Sequence, residues 1–141
     1  MLAVEEPADP LQALAVFYRA FNERDAARME KAWEHSSEAS VISPLVGVVR
    51  GWAAIRAVYD RGLKIPAGLT TEFYDYSVQR YGDLCVVIGR ERGQATSTDG
   101  TFPLWGQATN LLHRAPDGVW RMLHHHVSVE AGRSLPTDRP T

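Results

Sequence analysis

The sequence predicts an α+β fold in which N-terminal helices pack on a curved antiparallel sheet, forming a cone with an internal cavity. Three observations support this fold. The first half of the chain carries apolar residues at helical spacing, and the second half contains long β-rich segments. Short turn signals at 81–83, 98–100 and 116–118 separate these segments. Turns this short join antiparallel neighbours, and helices that precede a meander are typical of α+β domains.

Two helices are predicted before residue 34. Asp9 is a suitable N-cap and Pro10 suits the first helical position, where its missing N–H has no cost. Between Leu11 and Phe21, apolar residues recur at spacings of three and four. Asp25 is a second suitable cap, so a shorter helix follows it.

The remaining elements follow in order along the chain. A short β-rich segment lies at 40–43, and a third helix begins after Gly51 and ends before the breaking segment 65–68. Four long strands follow, at 69–80, 84–97, 101–114 and 119–130. We expect residues 1–9 and 131–141 to be flexible segments and residues 10–130 to form a single domain.

Composition excludes several classes of protein. The 141 residues hold 15 Lys+Arg and 17 Asp+Glu, a net charge of −2, which disfavours nucleic acid and anionic membranes as partners. Cys85 is the single cysteine, so an intrachain disulfide and cysteine-cluster metal sites are excluded. No apolar run reaches the roughly 20 residues that span a bilayer. The acidic N-terminal segment is unlike a secretory signal, and we expect a reduced cytoplasmic setting.

Polar residues recur on the strand faces that we expect to meet the helices. In 84–92 the face carrying Ile88 and Arg90 is assigned inward, with Asn110 and His125 on the inward faces of later strands. Buried polar groups need partners. Either these residues pair with one another and with aromatic core residues, or they line a cavity that is open to a ligand.

The opposite strand faces also carry large residues, which indicate a protein interface. We therefore expect a homodimer through the outer sheet face, formed by Trp105, Gln107, Trp120, Met122, His124 and His126.

The ordered motifs resemble a known superfamily. Segment 109–114 (TNLLHR), segment 117–122 (DGVWRM) and segment 124–128 (HHHVS) are similar to the end of the association domain of calcium/calmodulin-dependent kinase. Trp33 at the end of the second helix and the pair Ile42-Ser43 before Pro44 agree. The chain is identified as a member of the nuclear transport factor 2-like superfamily, in its SnoaL-like branch. This resemblance implies the cystatin-like cone, and it does not fix the chemistry.

Ketosteroid isomerase belongs to the same superfamily, and its catalytic pattern is only partly present. The position of its general-base aspartate falls at Ser43, which cannot abstract a proton near neutral pH. Its oxyanion tyrosine falls at Phe17, next to Tyr18, and its second oxyanion donor falls near Asn110. Its supporting tyrosine is kept as Tyr59. The kinase association domain has three pocket arginines, whose positions fall at Arg90, Asn110 and Val127 in this chain. One of the three arginines is therefore present.

The histidine cluster has two interpretations. On a strand only His124 and His126 share a face, and no third ligand accompanies them, so no metal site is expected. His125 is the candidate catalytic residue, because a desolvated neutral imidazole can act as a base. It is alternatively a hydrogen-bonded core histidine.

These observations predict a protein that binds a small, partly apolar organic molecule. Its expected ligand-binding residues are Phe17, Tyr18, Trp33, Ser43, Tyr59, Ile88, Arg90, Asn110, Leu123 and Val127. One possibility is a cofactor-free acid/base enzyme, of isomerase, cyclase or dehydratase type, acting on a carbonyl or aromatic compound. The alternative is a non-catalytic module for metabolite binding or dimerisation.

Overall fold

The computed structural model describes residues 7–64 and 68–132 and confirms the α+β fold. Its described part contains three helices, α1 (Pro10–Glu23), α2 (Ala26–Ala32) and α3 (Trp52–Gly62). It also contains six strands, β1 (Ser40–Ser43), β2 (Gly47–Arg50), β3 (Leu69–Tyr81), β4 (Leu84–Ser97), β5 (Gly100–Arg114) and β6 (Trp120–Val129). The predicted breaking segment 65–68 and most of the two expected flexible segments lie outside the described residues.

The helix caps follow the sequence signals. The Asp9 carboxylate accepts a hydrogen bond from the Leu11 N–H at 2.8 Å, with Pro10 in the first turn. The Asp25 carboxylate accepts from the Arg28 N–H at 3.0 Å and starts α2. Each carboxylate satisfies an N–H that has no partner inside its helix.

The six strands form one sheet in the order β2-β1-β6-β5-β4-β3. Strands β3 to β6 are an antiparallel meander, and β1 pairs with β6 in parallel. Strand β2 was not predicted, because four residues between turn signals carry too little pattern. The β1–β2 hairpin extends the sheet beyond β6 and brings Ser43 and Pro44 to the cavity.

The core lies between the helices and the concave face of the sheet. Its largest fully buried side chains include Trp33, Met29, Ile55, Leu112 and Met122. Trp33 packs edge-on against Phe17, with ring centroids 6.0 Å apart. This packing fixes α1 and α2 on the same side of the sheet.

The inward face of β4 is the opposite of the predicted one. Cys85 and Val87 are fully buried, whereas Ile88 is 46% exposed and Arg90 is exposed as well. Both faces of this strand carry apolar residues over its first half, so hydrophobic alternation could not distinguish them. The consequence is that Glu91, and not Arg90, faces inward.

A bulge in β6 corrects a second prediction. Leu111 pairs with His124 and Leu112 with Met122, so Leu123 is an extra residue without a partner in the register. A bulge shifts the alternation of side chains by one residue. Trp120 and Met122 therefore lie in the core and not on the outer face. Leu123, expected in the cavity wall, is the half-buried bulge residue.

The described residues contain neither a membrane-spanning helix nor a cluster of metal-ligating side chains. No described helix is long and apolar enough to cross a bilayer. Residues 7–64 and 68–132 contain no group of three or more metal-ligating side chains that could hold an ion.

Candidate functional site

A cavity of about 500 Å³ lies between the helices and the concave face of the sheet. Its walls are mostly apolar and come from α1, the β1–β2 turn, α3 and strands β3 to β6. Phe17, Leu63 and Val127 are typical wall residues. This volume lies within the range of roughly 300–1,000 Å³ that is usual for small-molecule sites.

The carboxyl group of Glu91 is the principal acidic group of the cavity. Its side chain is only 12% exposed. The Tyr18 hydroxyl donates a hydrogen bond to Glu91 Oε2 at 2.6 Å, and the Thr71 hydroxyl donates to Oε1 at 3.4 Å. Burial is the largest effect on this carboxyl and raises its pKa above the ordinary value, although the two hydrogen bonds oppose the rise.

His125 lies opposite Glu91, with its Nε2 atom 3.8 Å from Glu91 Oε2. Its Nδ1 atom is 2.7 Å from Asn110 Oδ1. Asn110 uses its Nδ2 group to donate to the Tyr18 hydroxyl at 3.1 Å, so its Oδ1 faces the imidazole. An amide oxygen only accepts, so Nδ1 of His125 carries the proton. Nε2 is then a bare acceptor that points at Glu91.

Burial lowers the pKa of His125 to about 3, with smaller contributions from His124 and His126. The imidazole is therefore neutral near pH 7. With Glu91 ionised, two acceptors face each other without a proton between them. Such a pair can accept a proton from a third group that is placed between them.

Tyr59 supplies a second kind of polar group. It projects from α3 into the cavity and is 8% exposed. Its hydroxyl makes no hydrogen bond within residues 7–64 and 68–132. Burial, together with the nearby Glu91, raises the pKa of Tyr59, so the hydroxyl keeps its proton. It is available to donate to a ligand oxygen.

The structure brings several of the predicted site residues together. Those that line the cavity are Phe17, Tyr18, Ser43, Tyr59, His125 and Val127. Trp105, expected in a dimer interface, also contributes to the lining. The Ser43 hydroxyl oxygen accepts from the N–H groups of Leu45 and Val46, both at 3.3 Å, and thereby shapes the β1–β2 turn.

Other predicted residues lie elsewhere. Arg90 is on the exposed face, where its guanidinium donates to Asp75 at 2.9 Å and to Glu130 at 2.6 Å. Ile88 is on the same face. Asn110 lies behind Tyr18 and His125 and holds both, and Trp33 is fully buried in the core. The predicted convergence of Arg90, Asn110 and His125 on one cavity is therefore wrong for Arg90.

Glu91 is the functional candidate that the sequence analysis missed. The face that it shares with Cys85 and Val87 was assigned outward, and there a glutamate needs no explanation. A usable signal was nevertheless present. An acidic side chain that follows apolar residues on the same strand face is costly when buried.

Three of the predicted interface residues remain on the outer sheet face. Gln107 is exposed, and His124 and His126 are partly exposed. The Oγ atom of Ser40 lies 2.7 Å from Nδ1 of His124. The two histidine rings are edge to face, with centroids 6.1 Å apart.

Comparison with known proteins agrees with this architecture. The model of the SnoaL-like domain family matches residues 11–132. No curated protein matches the sequence.

Three solved structures illustrate the similarity. A candidate dehydratase of the nuclear transport factor 2-like family from Streptomyces avermitilis superimposes with a TM-score of 0.77 at 20% identity, covering 85% of this chain and 93% of that one. A candidate calcium/calmodulin-dependent protein kinase type II association domain from Thiobacillus denitrificans gives 0.71 at 27% identity, with coverages of 85% and 94%. A ketosteroid isomerase-like protein from Erwinia carotovora atroseptica gives 0.72 at 21% identity, with coverages of 90% and 98%.

Proposed function

The chain belongs to the SnoaL-like domain family, and we propose that it binds a small carbonyl compound and catalyses proton transfer on it without a cofactor. The observation that carries this proposal is the pair of proton-accepting groups, Glu91 and His125, 3.8 Å apart in the wall of a mostly apolar cavity. Enzymes place such groups where burial moves their pKa values.

The chemistry follows from the geometry. Glu91 takes a proton from the carbon beside the carbonyl, and the raised pKa of its carboxyl makes it a better acceptor near neutral pH. The Tyr59 hydroxyl donates to the oxygen on which negative charge develops. The proton then returns to another carbon, which completes an isomerisation. Alternatively a hydroxyl group on the next carbon takes this proton from Glu91 and leaves as water, which completes a dehydration.

His125 and Asn110 support this step. Asn110 fixes the imidazole with Nε2 bare, so His125 can accept a hydrogen bond from protonated Glu91 or from a ligand donor beside it. The similarity to a candidate dehydratase and to a ketosteroid isomerase-like protein favours this reaction class. In this proposal the base comes from β4 and replaces the aspartate whose position is occupied by Ser43.

The direct test uses β-tetralone, an enolisable neutral ketone, in deuterated buffer. We expect the wild-type protein to accelerate exchange of its α-protons, followed by proton NMR, and Glu91→Gln to reduce that rate at least about a hundredfold. Tyr59→Phe is expected to reduce it less. Glu72→Gln is the matched control, because Glu72 is an exposed carboxylate on β3. Exchange that persists in Glu91→Gln would contradict the proposed role.

A second candidate function, assembly, is favoured by the outer sheet face. Ile88 and Leu84 are 46% and 37% exposed on it. The similarity to kinase association domains also fits an oligomeric module. We propose a homodimer through this face, with Gln107, His124 and His126 taking part. Ile88→Glu is expected to give monomers by light scattering after size exclusion, whereas Arg19→Glu on the exposed side of α1 leaves the mass unchanged.

A further inference from the structure

The cavity contains a positive charge for which the proposed proton-transfer chemistry has no use. Arg24 and Arg61 both contribute to its lining. Arg61 is exposed in the last turn of α3, whereas Arg24 is half-buried between α1 and β3. Within residues 7–64 and 68–132, the Arg24 guanidinium has no hydrogen bond or ion pair.

The backbone at Arg24 is unusual. This residue ends α1 in the left-handed conformation, with φ 56° and ψ 40°, and its N–H caps the helix. Helices usually place glycine at such a position, because a side chain makes the conformation unfavourable. An arginine here costs stability relative to glycine, and strained residues of this kind cluster at functional sites.

The local packing directs the guanidinium. Gly68 lies directly against it, and a methyl group added to Gly68 would overlap the Nη2 atom of Arg24. Gly68 leads into Leu69 and Thr70, which are part of the cavity lining. A side chain at position 68 would therefore compete with the guanidinium for the space beside the outer part of the cavity.

The polar groups of the cavity are thus unevenly distributed. Glu91 and His125 lie on the buried wall, with side chains 12% and 9% exposed. Exposed lining residues such as Thr70 and Arg61 mark the opening. Arg24 lies between the buried wall and the opening, and its planar guanidinium group suits a carboxylate.

We propose that the ligand is an organic acid with two functional ends, whose carboxylate binds Arg24 while its carbonyl lies between Glu91 and Tyr59. Arg24 is then the residue that selects acids over neutral ketones, and Arg61 adds a weaker attraction at the opening. This inference rests on the proposed function, because it uses the same cavity and the same reacting groups. It adds the class of substrate.

The test compares 4-oxo-4-phenylbutanoate with its methyl ester by isothermal titration calorimetry. We expect the wild type to bind the acid at least about fivefold more tightly than the ester, and the preference to weaken with added salt, since an ion pair is screened. Arg24→Gln is expected to bring the ratio near one, and Arg24→Lys to restore part of it. Arg19→Gln, an exposed arginine of the same helix, leaves it unchanged.

Gly68→Ala provides an independent test, because it displaces the guanidinium of Arg24 without removing its positive charge. We expect it to reduce the preference for the acid. An acid-to-ester ratio near one in the wild type, or a ratio kept by both Arg24→Gln and Gly68→Ala, overturns the inference. If the ratio is near one while Glu91→Gln still abolishes α-proton exchange of the ester, the proposed function stands and only this inference fails. If neither compound binds or exchanges, both fail.

Discussion

Two adjacent residues of β4, Arg90 and Glu91, show how the surroundings of a charged side chain differ between the two faces of the sheet. Arg90 lies on the exposed face and meets two carboxylates, Asp75 and Glu130. Glu91 lies on the cavity face and meets hydroxyl groups and an imidazole, and in the part of the chain that the structure describes no cation is among its hydrogen-bond partners. Arg90 remains an ordinary solvated ion. For Glu91, burial shifts the balance between its protonated and ionised forms.

This difference shows that the two faces differ in what a charge costs in stability. An exposed ion pair is screened by water and contributes little to folding. A buried carboxyl beside a neutral imidazole carries a desolvation cost, and proteins retain such groups mainly at functional sites. The following experiments separate the two faces, in order of expected effect.

The largest effect is expected from a charge placed on the inward face. Val87 is fully buried on β4, and Val87→Asp buries a carboxylate without a partner. We expect a loss of about 3–5 kcal/mol in the free energy of unfolding, measured by urea denaturation. Gln94→Asp places the same group on an exposed position of the strand and should cost less than about 0.5 kcal/mol. Equal losses would contradict the assignment of faces.

His125 should make stability fall at acid pH. Its folded-state pKa is about 3, below the ordinary value of 6.5, so the unfolded chain binds a proton that the native state excludes. The stabilisation is present above pH 6.5 and is lost as pH falls toward 3, by at most about 1.4 kcal/mol per pH unit. Urea unfolding at pH 7, 6 and 5 should show this loss in the wild type and in the exposed control His35→Gln. His125→Gln should lack it, and an unchanged slope there would count against the buried neutral imidazole.

Glu91 should act in the opposite direction. Its pKa is raised in the folded state, so the native protein favours the protonated carboxyl and loses stability as pH rises through that pKa. Glu91→Gln, which cannot ionise, should gain stability relative to the wild type as pH increases. Thermal unfolding between pH 4 and pH 8 measures this gain, with Glu72→Gln as the exposed control. A gain that does not change with pH would contradict the burial of Glu91.

The smallest effect is expected at the exposed pair. Arg90→Ala removes both of its ion pairs, yet its guanidinium is half exposed. We expect no measurable change in the urea midpoint and none in the binding of β-tetralone. A loss of ketone binding would contradict this assignment and would support the predicted role of Arg90 in ligand binding.

The sequence predicts the elements better than it predicts the faces of the strands. Asp9, Pro10 and Asp25 fix the helix starts through local hydrogen bonds, and local chemistry can be read from a sequence. The inward face of β4 and the bulge at Leu123 depend on how strands register in the sheet. A shift of one residue there exchanges the two faces.

The candidate site was predictable where its residues are aromatic and lie near helices. Phe17, Tyr18 and Tyr59 line the cavity as expected, and so does His125. Glu91 and Arg24 were missed for physical reasons. Glu91 depends on the face of β4, and Arg24 depends on a left-handed backbone beside Gly68 that no residue pattern reveals.

The most direct test of the account is the protonation of the His125 ring in the free protein. Long-range proton–nitrogen NMR at pH 7 distinguishes the tautomers by the shifts of Nδ1 and Nε2. We predict a neutral ring with the proton on Nδ1 and a bare Nε2 facing Glu91, and loss of this preference in Asn110→Ala. An imidazolium, or a proton on Nε2 in the wild type, would contradict a proton-accepting pair and with it the proposed chemistry of the cavity.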